Sequence, residues 1–316
     1  MRFALMTEPQ QGLSYAEILA AARAAEAAGL EAFFRSDHYG SFAGPADGPT
    51  TDAWATLAGL ARDTSTIRIG SLVSPVTFRI PGSFAKVVAT VDEMSGGRVE
   101  VGMGAGWNEE EHQELGIPFP ALGERYDRLE EALAIVHGLW VEPDGWSYDG
   151  RFWQVRDAHM RPRPTFSGQR HPHLLLGGDG GPRLSRLVAT WADEFNRQSA
   201  TPERLREAYA NVTTACVALG RDPETVVRSA MVGVLVAETE AELRDRVRLQ
   251  LEMLGDDGDP QAWLAERRDR WIAGTPDQAR ERIDALAAAG AQRIMLQDFL
   301  PRDLEMVALL GRIASD

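Results

Sequence analysis

The 316-residue chain is 44% hydrophobic and 25% charged, an ordinary balance for a folded protein with material for a large core. Its formal net charge of −14 excludes a general surface for nucleic acid or anionic membrane, which needs clustered Lys and Arg, and leaves room only for a local basic pocket. The lone cysteine, Cys216, excludes an internal disulfide framework and a thiolate metal cluster. With no leader of signal-peptide pattern and no apolar stretch of membrane-spanning length, a soluble cytoplasmic protein is expected.

Along the chain, short apolar runs alternate with amphipathic helices. Arg2–Thr7 reads as a strand and Tyr15–Ala28 as an alanine-rich helix closed by Gly29. Glu31–Arg35 is a second strand, and Asp52 caps a helix through Arg62. Ile67–Val73 and Gly82–Met94 form the third pair, and Arg98–Met103 is a fourth strand ending in glycines. Glu109-Glu110-Glu111 reads as the acidic first turn of a helix after Asn108. Leu129, Leu133, Val136 and Trp140 then repeat at helical period in a helix from about Gly123 to Trp140.

Trp146–Val155 breaks the alternation as a hairpin turning at Asp149-Gly150, with its tryptophans as packing. The alternation resumes with strands at His173–Leu176, Glu194–Gln198, Val226–Val236 and Arg293–Leu296. Helices follow Gly181, Thr201, Thr239 and Thr275, and Leu304–Ile313 closes the chain. Gly255–Gln261 reads as a polar loop. Eight strands, nearly all followed by helices and with no linker between them, predict a (β/α)₈ TIM barrel. The short β-hairpin is an insertion after its fourth β/α unit.

In such a barrel the chemistry sits at the C-terminal ends of the strands. After strand two stands Ser36-Asp37-His38, where a carboxylate beside a histidine can tune proton transfer or simply cap a turn. The segment from Gly70 to Arg79 brings apolar and small polar residues that suit the face of a flat ring, or an ordinary proline turn. Gly102-Met103-Gly104-Ala105-Gly106-Trp107 is not a dinucleotide fingerprint, because Trp107 stands where the third glycine belongs. Its small residues would instead let a ligand approach the backbone closely.

Gly177-Gly178-Asp179-Gly180-Gly181 opens a helix and is the best phosphate signal in the chain, with Arg183 or Arg186 able to add charge. The six histidines show no metal-ligand spacing, and His171 and His173 lie at the barrel bottom as structural residues. No G-x-S-x-G elbow is present, which directs the reading towards cofactor-borne redox chemistry.

Four segments carry a family resemblance: Leu72–Arg79, Asp92–Arg98, Gly102–Glu109 with Glu111-His112, and Arg125–Glu131. Together they resemble the luciferase-like monooxygenase superfamily, and within it the enzymes that use the deazaflavin coenzyme F420. The Leu174–Gly181 stretch, Trp191–Glu194 and Gly274–Pro276 extend the likeness over residues 1–316, read as one barrel domain. The resemblance implies Asp37 and His38 beside the deazaflavin and a bulge at Leu72, Val73 and Ser74, often with a non-proline cis peptide, behind its ring. It implies Ala105, Gly106 and Trp107 along the ring edge, and Gly177, Gly178, Asp179, Gly180 and Gly181 around the phosphate.

It further implies hydride transfer between the deazaflavin and a small organic substrate, with His38 as the catalytic residue. Family members are often dimers, so a homodimer is expected. Sugar-phosphate dehydrogenases of this group carry an acidic residue where Trp107 stands, so an aromatic wall here points to a flatter or more apolar substrate. An FMN-dependent monooxygenase on the same fold and a non-catalytic barrel that binds a cofactor or ligand stand as alternatives.

Overall fold

A computed structural model describes residues 1–42, 48–164, 171–198 and 201–315. The first half runs β1 (Arg2–Thr7), α1 (Tyr15–Ala27), β2 (Ala32–Arg35), α2 (Ala53–Asp63), β3 (Arg68–Pro75), α3 (Pro81–Ser95), β4 (Val99–Gly104), α4 (Glu109–Glu114) and α5 (Leu122–Val141). A two-stranded ribbon, β5 (Trp146–Asp149) and β6 (Gln154–Ala158), follows. The second half runs β7 (His173–Gly177), α6 (Pro182–Trp191), β8 (Glu194–Gln198), α7 (Pro202–Ala218), β9 (Val227–Val236), α8 (Glu240–Leu254), α9 (Pro260–Ala265), β10 (Ile272–Gly274), α10 (Pro276–Ala288), β11 (Arg293–Asp298) and α11 (Leu304–Ser315).

The parallel strands pair in the order β9-β11-β1-β2-β3-β4-β7-β8, and β8 pairs back to β9, closing an eight-stranded barrel. These are the eight strands expected from the alternation. The short β10 adds to the C-terminal end of β9, pairing Ile272 with Val234. Three residues are too few to show a period, so the pattern did not reveal it.

Two cores follow from the two faces of the strands. Ala4, Met6, Ala32, Phe34, Leu72, Leu175, Met231 and Met295 fill the barrel interior. The alternate residues Leu5, Phe33, Val101, Leu174 and Leu296 join the helices in the outer layer. Residues 260 and 261, read as loop, begin α9, which Asp259 caps by accepting from the Ala262 amide at 2.8 Å.

The ribbon turns over four residues rather than at Asp149-Gly150 alone. Glu131 of α5 accepts from the amides of Arg151 at 2.8 Å and Phe152 at 3.0 Å, so a side chain from another element holds the turn. Gly138 gives Trp146 its seat on α5, since an added Cβ there would lie 2.3 Å from the indole. Among the described residues no helix is long and apolar enough to cross a membrane.

At the N-terminal end of the barrel, Arg293 of β11 donates to Glu100 at 2.7 Å and to Glu194 at 3.0 Å, and it also pairs with Glu31. His173 contacts Glu194 at 2.9 Å. Glu100, His173 and Glu194 are donor types that hold metals, but the Arg293 guanidinium is the cation of this cluster.

Candidate active site

The opposite, C-terminal end carries the chemistry-bearing side chains. His38 follows β2, and its Nδ1 lies 2.8 Å from Oε1 of Glu111 on α4. The other carboxylate oxygen of Glu111 accepts from the amides of Tyr39 at 2.8 Å and Gly40 at 3.3 Å. Glu111 is 2% exposed and holds both the ring and the loop that bears it. Burial works against a charged imidazole here. The hydrogen bond and charge of Glu111, with Glu8 and Asp37 behind it, outweigh that penalty and raise the His38 pKa above its ordinary value.

Asp37, expected beside the histidine, faces the other way, because neighbouring residues of an extended chain point to opposite sides. Its carboxylate accepts from Ser74 Oγ at 2.6 Å and from Arg79 Nη1 at 2.5 Å. Arg79 also donates to Asp52 at 2.7 Å, and Trp54 donates to Ser74 at 2.9 Å. Asp37 is thus the buried anchor between β2, β3 and α2, and the carboxylate that orients His38 is Glu111. Glu111 does lie in the first turn of α4, as its place after Asn108 suggested. Its second role depends on a contact across 73 positions of chain, and local pattern carries no sign of that.

The bulge expected after the third strand lies at Leu72-Val73. That peptide is cis, and the pairing with β4 shifts register between Ser71 and Ser74. Val73 then leans on the glycines of the neighbouring strands. An added Cβ would come within 2.8 Å of it at Gly102 and Gly104, and within 3.1 Å at Gly177. The glycines closing β4 therefore make room for Val73, whereas the sequence suggested an open backbone for a ligand. Beyond them, Ala105 is half-buried and Gly106 takes a φ of +79°. Trp107 is 62% exposed and meets the His38 ring edge-on at 5.4 Å between centroids, with Phe42 completing the aromatic trio.

The glycine run leads from β7 into α6. Gly178 and Gly180 have φ of +152° and +73°, and an added Cβ would meet Leu184 at the first and Ala208 at the second. Gly181 is the N-cap of α6, has no side-chain cap, and would meet nothing within 4 Å with an added Cβ. Arg183 and Arg186, expected to add charge there, instead pair with Asp127 and Glu130 of α5. The guanidinium beside the run is Arg197, which closes β8 and reaches Asp179 at 2.8 Å.

A buried polar layer lies across the interior at the ends of β1, β2 and β11. Glu8 accepts from Gln297 at 2.6 Å and Gln10 at 2.8 Å, and Ser36 donates to Gln10 at 2.5 Å. These residues follow or end apolar strands, the same positional cue that singled out Asp37-His38.

A model of the luciferase-like monooxygenase family matches residues 1–293. An F420-dependent glucose-6-phosphate dehydrogenase of Beutenbergia cavernae is 28% identical, covering 95% of this chain and 91% of its own. An FMNH2-dependent dimethylsulfone monooxygenase of Pseudomonas putida is 29% identical over 68% of this chain and 65% of its own. Uncharacterised mycobacterial relatives match at 32% identity, and the match spans 64% of their length and 55% of this chain. In structure, an F420-dependent secondary alcohol dehydrogenase superposes with a TM-score of 0.82 at 18% identity, covering 99% of this chain and 97% of that one, which is a likeness of fold. With a family match over residues 1–293 on a closed parallel barrel, the chain belongs to the luciferase-like monooxygenase family.

Proposed function

We propose that the chain is a coenzyme F420-dependent oxidoreductase that moves a hydride between the deazaflavin and a small organic substrate. The observation that carries this reading is the His38–Glu111 pair, set against Trp107 and Phe42 at the mouth of the barrel. The residues also fit a flat, phosphate-bearing cofactor. The Leu72–Ser74 bulge turns Val73 inward. The uncapped N-terminus of α6 offers amides with open space at Gly181, and Arg197 lies beside the run in an ion pair with Asp179. The relative that matches along 95% of the chain is F420-dependent, which supports deazaflavin over flavin. With this reading go one barrel domain over residues 1–316, a cytoplasmic location and a homodimer.

When bound, the deazaflavin supplies a carbon centre that gives or takes a hydride and reacts poorly with oxygen. The chain supplies orientation and proton control. Glu111 commits Nδ1 of His38 as the donor of their hydrogen bond, which leaves Nε2 to hold or deliver a proton at the substrate. Trp107 and Phe42 each meet the imidazole edge-on and give a substrate ring an aromatic flank beside it. Glu8, Gln10, Ser36 and Gln297 form a polar layer whose hydrogen bonds are satisfied among themselves.

The FMN-dependent monooxygenase reading draws on the dimethylsulfone monooxygenase relative. Anaerobic titration of the purified chain with reduced F420 and with reduced FMN separates the two, followed by admission of oxygen. Tighter binding of F420 without oxygen uptake is expected. Tighter binding of reduced FMN with oxygen consumption would overturn the proposal. If the chain binds a cofactor and no substrate oxidises or reduces it, the non-catalytic barrel is the better description.

A further inference from the structure

A cavity of about 480 Å³ opens beside Phe42 at the C-terminal end of the barrel. Its walls are aromatic. Trp271 and Phe299 stack at 5.4 Å with 12° between their planes, and Trp263 meets Trp271 edge-on at 5.3 Å. Met253 and Leu254 of α8 complete the apolar lining.

The position of Trp271 ties this cavity to the barrel mouth. Met231 of β9 faces the interior, so Gly233, two residues on, faces it too. An added Cβ at Gly233 would lie 2.3 Å from the Trp271 indole, so the indole passes over the mouth there. Gly233 is paired with Gln297, which donates to Glu8 in the polar layer. Phe42 is shared, lining the cavity and standing 5.2 Å from the His38 ring.

Three lining residues carry a buried polar atom with no hydrogen-bond partner among the described residues: Gln11 Nε2, Trp263 Nε1 and Gln250 Oε1. Two are donors and one is an acceptor. A buried polar group left unpaired is costly, so a ligand able to pair with them at small side-chain adjustments gains from doing so. The two lining arginines are already engaged. Arg302 donates to Glu17 at 2.6 Å and to Gly12 at 2.8 Å. The Arg267 guanidinium lies 3.9 Å over the Trp263 ring and donates to its carbonyl at 2.9 Å. Neither is presented as an open anion site.

We propose that this cavity is the substrate subsite of the enzyme and takes an uncharged, planar aromatic compound with at least one hydrogen-bond acceptor and one donor on its rim. The inference rests on the oxidoreductase reading for the word substrate, but its binding chemistry stands on the cavity alone. Aromatic faces reward a flat ring, and the buried donors and acceptor pair with its rim once the Gln11 and Gln250 side chains turn towards the cavity. A sugar phosphate has neither the flat aromatic face nor the neutrality that these walls select.

Isothermal titration calorimetry of the full chain, with and without coenzyme F420, tests this with 7-hydroxycoumarin held below its phenol pKa. Cyclohexanol and glucose 6-phosphate serve as contrasts. The coumarin should bind at least roughly tenfold more tightly than either contrast, and Trp271→Ala should weaken it by about tenfold. Trp271→Phe should retain most of the affinity, and Gln250→Leu should lower it while leaving F420 binding unchanged. Equal or tighter binding of glucose 6-phosphate would overturn the subsite. So would unaltered coumarin affinity in a Trp271→Ala variant whose circular dichroism matches the parent. Binding of F420 without the coumarin preference sinks this inference and spares the proposed function. A coumarin preference without F420 binding does the reverse.

Discussion

His38 owes its properties to a residue 73 positions away. Burial alone would push its pKa down, and the Glu111 carboxylate pushes it above the ordinary value. The stabilising contribution of this pair is therefore complete below the ordinary imidazole pKa. It is lost as pH rises through the raised value. In Glu111→Gln the opposing charge is gone while the burial remains. The NMR titration midpoint of His38 should then move downward, and the matching limb of the pH–rate profile should move with it. A loss of about 10²-fold in kcat/KM is expected, the lower end of what positioned proton transfer contributes. An unmoved midpoint would show that Glu111 does not govern the ring. Asp37 behaves differently: its partners Arg79 and Ser74 make it an anchor of the β2 and β3 loops.

Among the elements, α6 makes the sharpest case. Its first turn has no side-chain cap, and its N-cap is a glycine at φ −64° and ψ 164°, a conformation open to any residue. A helix of this length would gain from Asp at that place, through a capping hydrogen bond and the helix dipole, by about 0.5–1 kcal/mol. The chain has glycine instead, as expected if the free amides serve a phosphate. Gly181→Asp should therefore raise the melting temperature slightly and weaken cofactor binding by roughly tenfold or more, because the new carboxylate repels the phosphate. Gains or losses in both quantities together would point to a purely structural turn. The β3–β4 pair makes a related point, since the glycines ending β4 accommodate Val73 from the cis bulge.

The whole molecule sets the proposed site and a buried charge cluster at opposite ends of the barrel axis. The C-terminal end bears His38, the aromatic trio and the glycine run, and the N-terminal end is closed by Arg293 among Glu100, Glu194 and Glu31. Burial opposes ionisation of Glu100 and Glu194, yet the charges of Arg293 and His173 prevail and lower both pKa values. Their contribution is present above the ordinary carboxylate range and lost as pH falls through the lowered values. Arg293→Met strands these carboxylates without a cation and should cost about 3–5 kcal/mol in urea-induced unfolding. Cofactor affinity of the folded variant should be unchanged, because the cluster lies at the other end of the strands. A proportional loss of cofactor binding would contradict that separation.

How much of this was legible in the residues follows the range of the forces involved. The eight barrel strands, the hairpin insertion and the uncapped glycine run were readable, because hydrophobic period, turn residues and helix starts act over a few neighbouring positions. So were the positions of His38 and Trp107 at strand ends, since a barrel gathers those ends at one mouth, whereas the bulge at Leu72–Ser74 came from the family resemblance. The partners of those residues were not. Glu111 reads locally as a helix first turn and Arg183 and Arg186 as added charge for a phosphate, while nothing in the local pattern singles out Trp271. Each acquires its role from a neighbour brought close only when the barrel closes: His38 for Glu111, α5 for the two arginines, and the glycine of β9 for Trp271. Local order comes from backbone and solvent preferences that each segment satisfies alone, whereas the pairing of charges and rings depends on distances that exist only in the folded chain.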